Sequence, residues 1–132
     1  MIRNLLIILF FSALGFEGYG QLSLPASPYT QNFDGIGSGY PTGWTGRTGA
    51  NATNRGTSVA LNTTATAWGD TGGSVKNCAS SDGLVSGATT LEQSNSVDRA
   101  LSIRQTGSFG DPGAAFELEL TSTAGFENFS LS

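Results

Sequence analysis

Two carboxylates near the end of the chain are the side chains best spaced for acid–base chemistry. Glu117 and Glu119 are two residues apart, so a strand would present both on one face. Glycosidases use such a pair as acid and base. The alternative is a solvated strand face, with Arg104 opposite on a neighbouring strand. We favour the solvated face, because a strand pair without a cleft does not shift a carboxyl pKa.

Other catalytic systems are limited by composition. The sequence contains no histidine, which excludes Ser-His-Asp and Cys-His nucleophiles and histidine-based metal sites within this chain. The glycines do not form the Gly-x-x-x-x-Gly-Lys loop that cradles phosphates. We therefore predict no catalytic residue and no obligatory cofactor in this chain.

A structural calcium ion is the remaining metal hypothesis. Four aspartates lie beside glycine in turn-like sequences: Asp34, Asp70, Asp82 and Asp111. Oxygen-rich loops can supply the six to eight ligands that Ca²⁺ takes. Asp-Gly is also the ordinary chemistry of a tight turn. Asp34 is the best single candidate for a calcium ligand, with the turn as the alternative.

Aromatic side chains in loop-like sequence are candidates for binding a ligand. Tyr40, Trp68 and Phe109 lie in or beside predicted loops, where binding residues concentrate. Aromatic rings offer a broad apolar face together with a polar edge, which suits sugar rings. Trp44 is instead interpreted as a core residue, because small sandwich folds commonly bury a tryptophan.

The first twenty residues have the pattern of a secretory signal peptide. Arg3 precedes an apolar run over residues 5–16, which is shorter than the ~20 residues of a membrane-spanning helix. Small residues then precede a predicted cleavage between Gly20 and Gln21. We predict a protein exported through the inner membrane, secreted or held at the cell surface, with no membrane span after cleavage.

Composition limits the domain count and the partners. Residues 21–132 are enough for at most one domain. The formal net charge is −4, without a basic patch, which argues against nucleic acid as a partner. The single cysteine, Cys78, has no partner in this chain. We interpret it as a buried free thiol, with pairing to a cysteine outside this sequence as the alternative.

Short β-branched or aromatic runs separated by turn-rich polar stretches predict an all-β fold. The predicted strands are residues 29–33, 44–47, 57–68, 75–78, 100–105 and 116–121. Most of residues 69–96 is expected to be loop. The Gly110-Asp111-Pro112-Gly113 turn predicts an antiparallel hairpin between the last two strands, with Phe116, Leu118 and Leu120 facing the core.

A further alternating run begins at Phe126 and continues to Ser132. We expect an unpartnered apolar strand there to leave an open sheet edge. The hypothesis is therefore that residues 21–132 are the N-terminal part of an incomplete antiparallel β-sandwich, preceded by the signal peptide. Further strands or domains would lie downstream.

Three stretches resemble a known type of secreted module. They are YTQNFDG at 29–35, PTGW at 41–44 and DRALSIRQTGSFGDPGAAF at 98–116. They resemble N-terminal modules of Bacteroidota proteins exported by type IX secretion, and are similar to the jelly-roll modules called choice-of-anchor J or cleaved-adhesin-like. The resemblance implies a β-sandwich used for adhesion, glycan contact or display, within a larger protein.

Two functions are compatible with these features, and both are hypotheses. The first is a non-catalytic, secreted module for adhesion or carbohydrate binding within a larger cell-surface or extracellular protein. The second is an accessory domain at the N-terminus of a secreted hydrolase, such as a nuclease, peptidase or glycosidase, with catalysis encoded downstream. A family's fold does not by itself decide between them.

Overall fold

The computed structural model describes residues 20–25 and 28–126. The predicted leader up to residue 19, and residues 127–132 of the predicted last strand, lie outside the described residues. No helix among the described residues has the length and apolar character needed to cross a membrane.

Strands in two small sheets dominate the described part of the chain. The first sheet has the order β2-β1-β6, with both pairs antiparallel. The second has the order β3-β4-β5, with β3 parallel and β5 antiparallel to β4. The strands are β1 Trp44–Thr48, β2 Thr57–Val59, β3 Leu61–Thr66, β4 Ser74–Ala79, β5 Arg99–Arg104 and β6 Ala114–Leu118. This architecture confirms the all-β prediction at the level of strand content.

Two short helices complete the described elements. A 3-10 helix spans Asp34–Ser38 and an α-helix, α1, spans Thr90–Asn95. The prediction that residues 69–96 are mostly loop did not include α1. This helix has six residues, and a Thr-x-x-Glu capping box stabilises its start. The predicted strand within that region is confirmed as β4. The run at 57–68 is divided between β2 and β3.

The predicted first strand at residues 29–33 is wrong. No strand covers these residues, and Phe33 has a positive φ of 62° at the start of the 3-10 helix. Side-chain oxygens accept the backbone N–H groups that a neighbouring strand would otherwise bind. Gln31 Oε1 accepts from the Phe33 N–H at 2.9 Å, and Asn32 Oδ1 accepts from the Asp34 N–H at 3.2 Å. Such local bonds favour turns over sheet ladders.

The predicted hairpin between the last two strands is also wrong. β5 pairs with β4 in one sheet, whereas β6 pairs with β1 in the other. Thr106 and Phe109 bond to each other through their backbones at 2.8 and 3.3 Å. The Gly110 N–H donates to Thr48 Oγ1 at 2.7 Å. The turn therefore carries the chain from one sheet to the other.

The two sheets approach each other at Gly46 in β1. A Cβ atom added there would lie 2.7 Å from Cγ2 of Val75 in β4, and would also meet the Tyr40 side chain. Val75 and Ile36 are fully buried, so the core lies on this side of β4. Phe116 pairs with Gly46 but is 38% exposed, which contradicts its predicted place in the core. Leu118 is half-buried.

A buried arginine attaches the loop of residues 80–98 to the second sheet. Arg99 is only 6% exposed. Its guanidinium donates to Asn77 Oδ1 and O at 2.7 and 2.9 Å, and to the carbonyls of Gln93 and Ser96 at 2.8 and 3.2 Å. Asn77 Nδ2 continues the network to Thr63 O at 2.8 Å. These bonds join α1 to all three strands of the sheet and so position the loop that borders the candidate site.

Candidate functional site

Trp68 is held in a fixed position beside the second sheet, just after β3. Its backbone N–H donates to Gln93 Oε1 at 2.7 Å, and its indole Nε1–H donates to the Ala79 carbonyl at 2.8 Å. Gln93 is buried and in turn donates to Ala88 O at 2.7 Å. A half-buried indole whose polar edge is already bonded leaves its apolar surface for contact with a ligand.

A cleft of about 530 Å³ opens beside Trp68. Its other lining residues are Ser81, Leu84 and Ser86, all from the loop after β4. This volume lies in the range of roughly 300–1,000 Å³ for small-molecule sites. The lining residues carry one indole, one aliphatic side chain, two hydroxyls and no charge, a combination that suits a polyhydroxylated ligand with an apolar face.

Trp68 also lines a second cavity of about 190 Å³. This cavity lies over the face of the sheet formed by β4 and β5, under the chain that follows β3. The residues that line it are Ala67, Trp68, Asp70, Lys76, Cys78, Ser102, Ile103 and Arg104. We call it the basic cavity, because two of its lining side chains are cations and one is a carboxylate.

Lys76 is the buried cation of the basic cavity. Its side chain is 4% exposed, whereas that of its ion-pair partner Asp70 is 48% exposed. The ammonium donates to the Asp70 carboxylate and, at 3.0 Å, to the Asp70 carbonyl. The hydrogen bond from Lys76 holds the pKa of Asp70 below its usual range, with a further contribution from the Gly72 N–H. Asp70 is therefore ionised at neutral pH.

The thiol of Cys78 belongs to the same cavity and is not exposed to solvent. Cys78 is 5% exposed, and its Sγ lies 2.6 Å from Ser102 Oγ. The prediction of a buried thiol is confirmed. Nothing in the described ranges places a histidine, carboxylate or second thiol so as to make a metal-binding group of three with it.

The other two predicted ligand-binding aromatics do not join Trp68. Tyr40 lines a separate cleft of about 190 Å³ with Gln31 and Ser38 among its neighbours. Its side chain also extends toward Gly46 between the sheets. Phe109 lies against Gly73, where an added Cβ would meet the Phe109 Cβ at 2.8 Å. The three aromatics therefore do not form one platform.

Asp34 ties the 3-10 helix to the second sheet. Its Oδ1 accepts from the Arg99 backbone N–H at 3.0 Å, and its Oδ2 accepts from Asn32 Nδ2 at 2.6 Å. Both carboxylate oxygens are thus engaged within the protein. Within residues 20–25 and 28–126, no group of three potential acidic, thiol or imidazole ligands surrounds it. A calcium ion at Asp34 therefore stays a prediction from the sequence alone.

Glu117 in β6 and Glu119 just after it lie in different surroundings. Glu117 binds Arg47 through Nε at 2.6 Å and Arg55 through Nη1 at 3.1 Å, not Arg104 as predicted. Burial alone would raise the pKa of Glu117, but the hydrogen bonds and charges of the two arginines hold it below its usual range. Glu119 accepts from Gln21 Nε2 at 2.8 Å, so residue 21 of the predicted cleavage site lies against the first sheet.

Several residues around Trp68 were not predicted from the sequence as part of a site. Lys76 and Arg104 are isolated cations in predicted strands, and Ser102 is one of many serines. A lysine flanked by Val75 and Asn77 within a predicted strand was the one available signal. Their proximity depends on strand register, in which Lys76 pairs with Ser102 and Ser74 with Arg104. Local pattern does not contain that information.

Comparison of the chain with family models, curated proteins and solved structures found no match. The resemblance to secreted jelly-roll modules therefore stays a prediction from the motifs alone.

Proposed function

We propose that this chain is a non-catalytic β-sandwich module that binds carbohydrate through the cleft beside Trp68. The cleft's combination of an indole and two serine hydroxyls in about 530 Å³ carries the proposal. In this proposal the module is secreted and acts in adhesion within a larger cell-surface or extracellular protein. The leader pattern and the motifs of residues 29–44 and 98–116 support that setting.

The sandwich part of the proposal is supported by the close approach of the two sheets. Gly46 leaves no room for a side chain against Val75, as expected where two sheets pack face to face. The fully buried Ile36 and Val75 would then belong to the layer between the sheets.

Binding of this kind needs no chemical step. A sugar ring would lie with its C–H face on the Trp68 indole, and hydroxyls of the sugar would bond to Ser81 and Ser86. Aromatic contacts contribute here through buried apolar area and ring electrostatics. The bonds from Trp68 to Gln93 and Ala79 hold the indole before the ligand arrives, which reduces the entropy lost on binding.

A glycan array probed with the full chain tests the proposal. We expect binding to a defined set of glycans, and Trp68→Ala should reduce that signal at least about tenfold, since it removes the aromatic contact. Leu91→Ala is the matched control, because Leu91 is 68% exposed and lies outside the cleft lining. This variant should bind as the unchanged chain does.

Failure to bind any glycan would contradict the proposal, provided that the chain is folded by circular dichroism. Equal binding by the Trp68→Ala variant would also contradict it. Equal binding would show that any carbohydrate site lies outside the cleft beside Trp68.

A further inference from the structure

We propose that the basic cavity receives the carboxylate of an acidic sugar, so that the ligand of this module is an acidic rather than a neutral saccharide. The inference rests on the proposed function, because it names the class of carbohydrate that occupies the Trp68 cleft. Trp68 lines both the cleft and the basic cavity. In this proposal, one ligand that contacts Trp68 places its ring in the cleft and its charged group in the cavity.

Lys76 retains a hydrogen-bond donor for such a group. An ammonium has three N–H donors, and Asp70 accepts two of them through its carboxylate and its carbonyl. Among the residues described, no acceptor takes the third. A buried ammonium that gains an anionic partner forms a charge-assisted hydrogen bond, which is stronger than a neutral one.

Arg104 offers the larger unused donor capacity. Its guanidinium carries five N–H donors in a geometry that matches a carboxylate. In the part of the chain that the structure describes, the side chain of Arg104 makes neither a hydrogen bond nor an ion pair, and its charge acts on the Asp70 carboxylate without a direct contact. Arg99 provides the contrast, because it uses its guanidinium on four bonds to protein oxygens. Arg104 is exposed at the cavity wall, where a ligand can reach it.

Charge and size both favour an anionic substituent over a whole sugar ring. The lining holds Lys76 and Arg104 against the single carboxylate of Asp70, which leaves one positive charge in a chain whose net charge is −4. At about 190 Å³ the cavity is below the volume of a typical small-molecule site. A carboxylate attached to a ring in the neighbouring cleft fits this volume.

The test is an NMR titration of the full chain with three probes: glucuronate, glucose and acetate. Glucuronate should shift the Trp68 indole together with the backbone amides of Ser102 and Arg104. Glucose should shift only the Trp68 indole, and acetate should bind at least about fivefold more weakly than glucuronate, because it lacks the ring. Raising the salt concentration should weaken glucuronate binding and leave glucose binding unchanged.

Arg104→Gln should reduce glucuronate affinity at least about fivefold, to the level of glucose, since it removes the charge-assisted pair. Arg55→Gln is the matched control: it makes the same charge change at a side chain that is 69% exposed in the loop between β1 and β2. Its glucuronate affinity should match that of the unchanged chain.

Three results would overturn the inference. Glucuronate could leave the amides of β5 unshifted, it could bind no better than glucose, or acetate could bind as strongly as glucuronate, which would indicate a general anion site. A different result would contradict the proposed function: that no glycan binds in a way that depends on Trp68. A neutral glycan that depends on Trp68 but not on Arg104 would leave the proposed function standing and exclude the acidic ligand.

Discussion

At the scale of single residues, the described chain uses its few charged side chains in very different ways. Arg99 is buried and bonded only to neutral oxygens through its guanidinium. Lys76 is buried against a half-exposed aspartate. The side chain of Arg104 makes no hydrogen bond within the described ranges. Arg99 stabilises the fold, Lys76 stabilises a loop and retains one donor, and Arg104 is the residue to which we assign the ligand's carboxylate in our proposal.

Replacement of Arg99 by methionine should strongly destabilise the protein. The variant retains apolar bulk but leaves the Asn77, Gln93 and Ser96 acceptors unpaired in a buried site. We expect the free energy of unfolding to fall by about 3 kcal/mol, measured by urea denaturation with tryptophan fluorescence as the signal. Arg55→Met, at an exposed ion pair, should cost at most about 1 kcal/mol. Equal losses for both variants would contradict the structural role of Arg99.

Glu117 should make stability depend on pH under acidic conditions. The two arginines lower its pKa in the folded state, so its stabilising contribution is complete above the unfolded-state pKa and disappears as the pH falls through the folded-state value. Between about pH 5 and pH 3, the unchanged chain should lose more stability than Glu117→Gln. Urea unfolding across that range measures the difference. Parallel pH profiles for the two proteins would exclude the effect.

At the scale of elements, α1 is a short helix that depends on its ends. Thr89 Oγ1 accepts from the Glu92 N–H at 3.2 Å, and the Glu92 carboxylate accepts from the Thr89 N–H at 2.7 Å. The backbone hydrogen bond from Thr89 holds the pKa of Glu92 below its usual range. Because six residues are too few for an isolated helix to be stable, this cap and the Arg99 bonds together keep α1 in place.

Thr89→Ala should destabilise the protein by about 1 kcal/mol, the usual cost of losing such a cap. Amide hydrogen exchange should accelerate first in residues 90–96. Thr90→Ala provides the control, because the next threonine is exposed and its hydroxyl makes no hydrogen bond in the described structure. Unchanged exchange in α1 after Thr89→Ala would show that the capping box contributes little.

The close contact between the two sheets at Gly46 predicts that a larger side chain there destabilises the protein. Gly46→Ala would place a methyl group 2.7 Å from the Val75 side chain and against Tyr40. Overpacking of this kind costs about 1–3 kcal/mol, to be measured by thermal or urea unfolding. Gly35→Ala, where an added Cβ meets nothing within 4 Å, should have a smaller effect. A fully tolerated Gly46→Ala would show that the sheets do not pack closely at this point.

Strand positions could be predicted from local sequence more reliably than strand partners. Alternation predicted β5 and β6, because period-two patterning reflects which face of a strand is buried, and short runs between turn residues predicted β1 and β4. The pairing of β6 with β1 could not be foreseen, since the Gly110-Asp111-Pro112-Gly113 turn is compatible with either a hairpin or a crossing between sheets. The YTQNFDG motif does not form the predicted strand, because the side chains of Gln31 and Asn32 bond to backbone donors that a strand would use in a sheet.

Of the residues at the candidate site, only Trp68 could be predicted from the sequence. Trp68 stood out as an aromatic in loop-like sequence. Ser81, Leu84 and Ser86 reach it only because the loop after β4 is attached to the sheet through Arg99 and Gln93. Lys76 and Arg104 line the same cavity because of the register between β4 and β5. Each of these relations is tertiary, so residue type and spacing do not predict which of these residues meet.

At the scale of the whole molecule, two small sheets, a leader-like N-terminus and one aromatic cleft together support the proposal of an exported carbohydrate-binding module. The charge distribution agrees with it: a net charge of −4 disfavours polyanions such as nucleic acid, while the local excess of cations in the basic cavity suits one carboxylate. The first sheet, with Glu117 between two arginines, would then serve as the scaffold opposite the ligand.

The most direct measurement uses the two tryptophans of the chain as paired reporters. Trp68 lines the cleft, whereas Trp44 packs edge-on against Phe33 at 4.9 Å and donates its indole N–H to Tyr29. When a glycan selected on the array is titrated into ¹⁵N-labelled protein, the Trp68 indole resonance should shift progressively and saturate, while that of Trp44 stays in place. A saturating shift at Trp44 with none at Trp68, or no shift at either indole, would contradict the central claim.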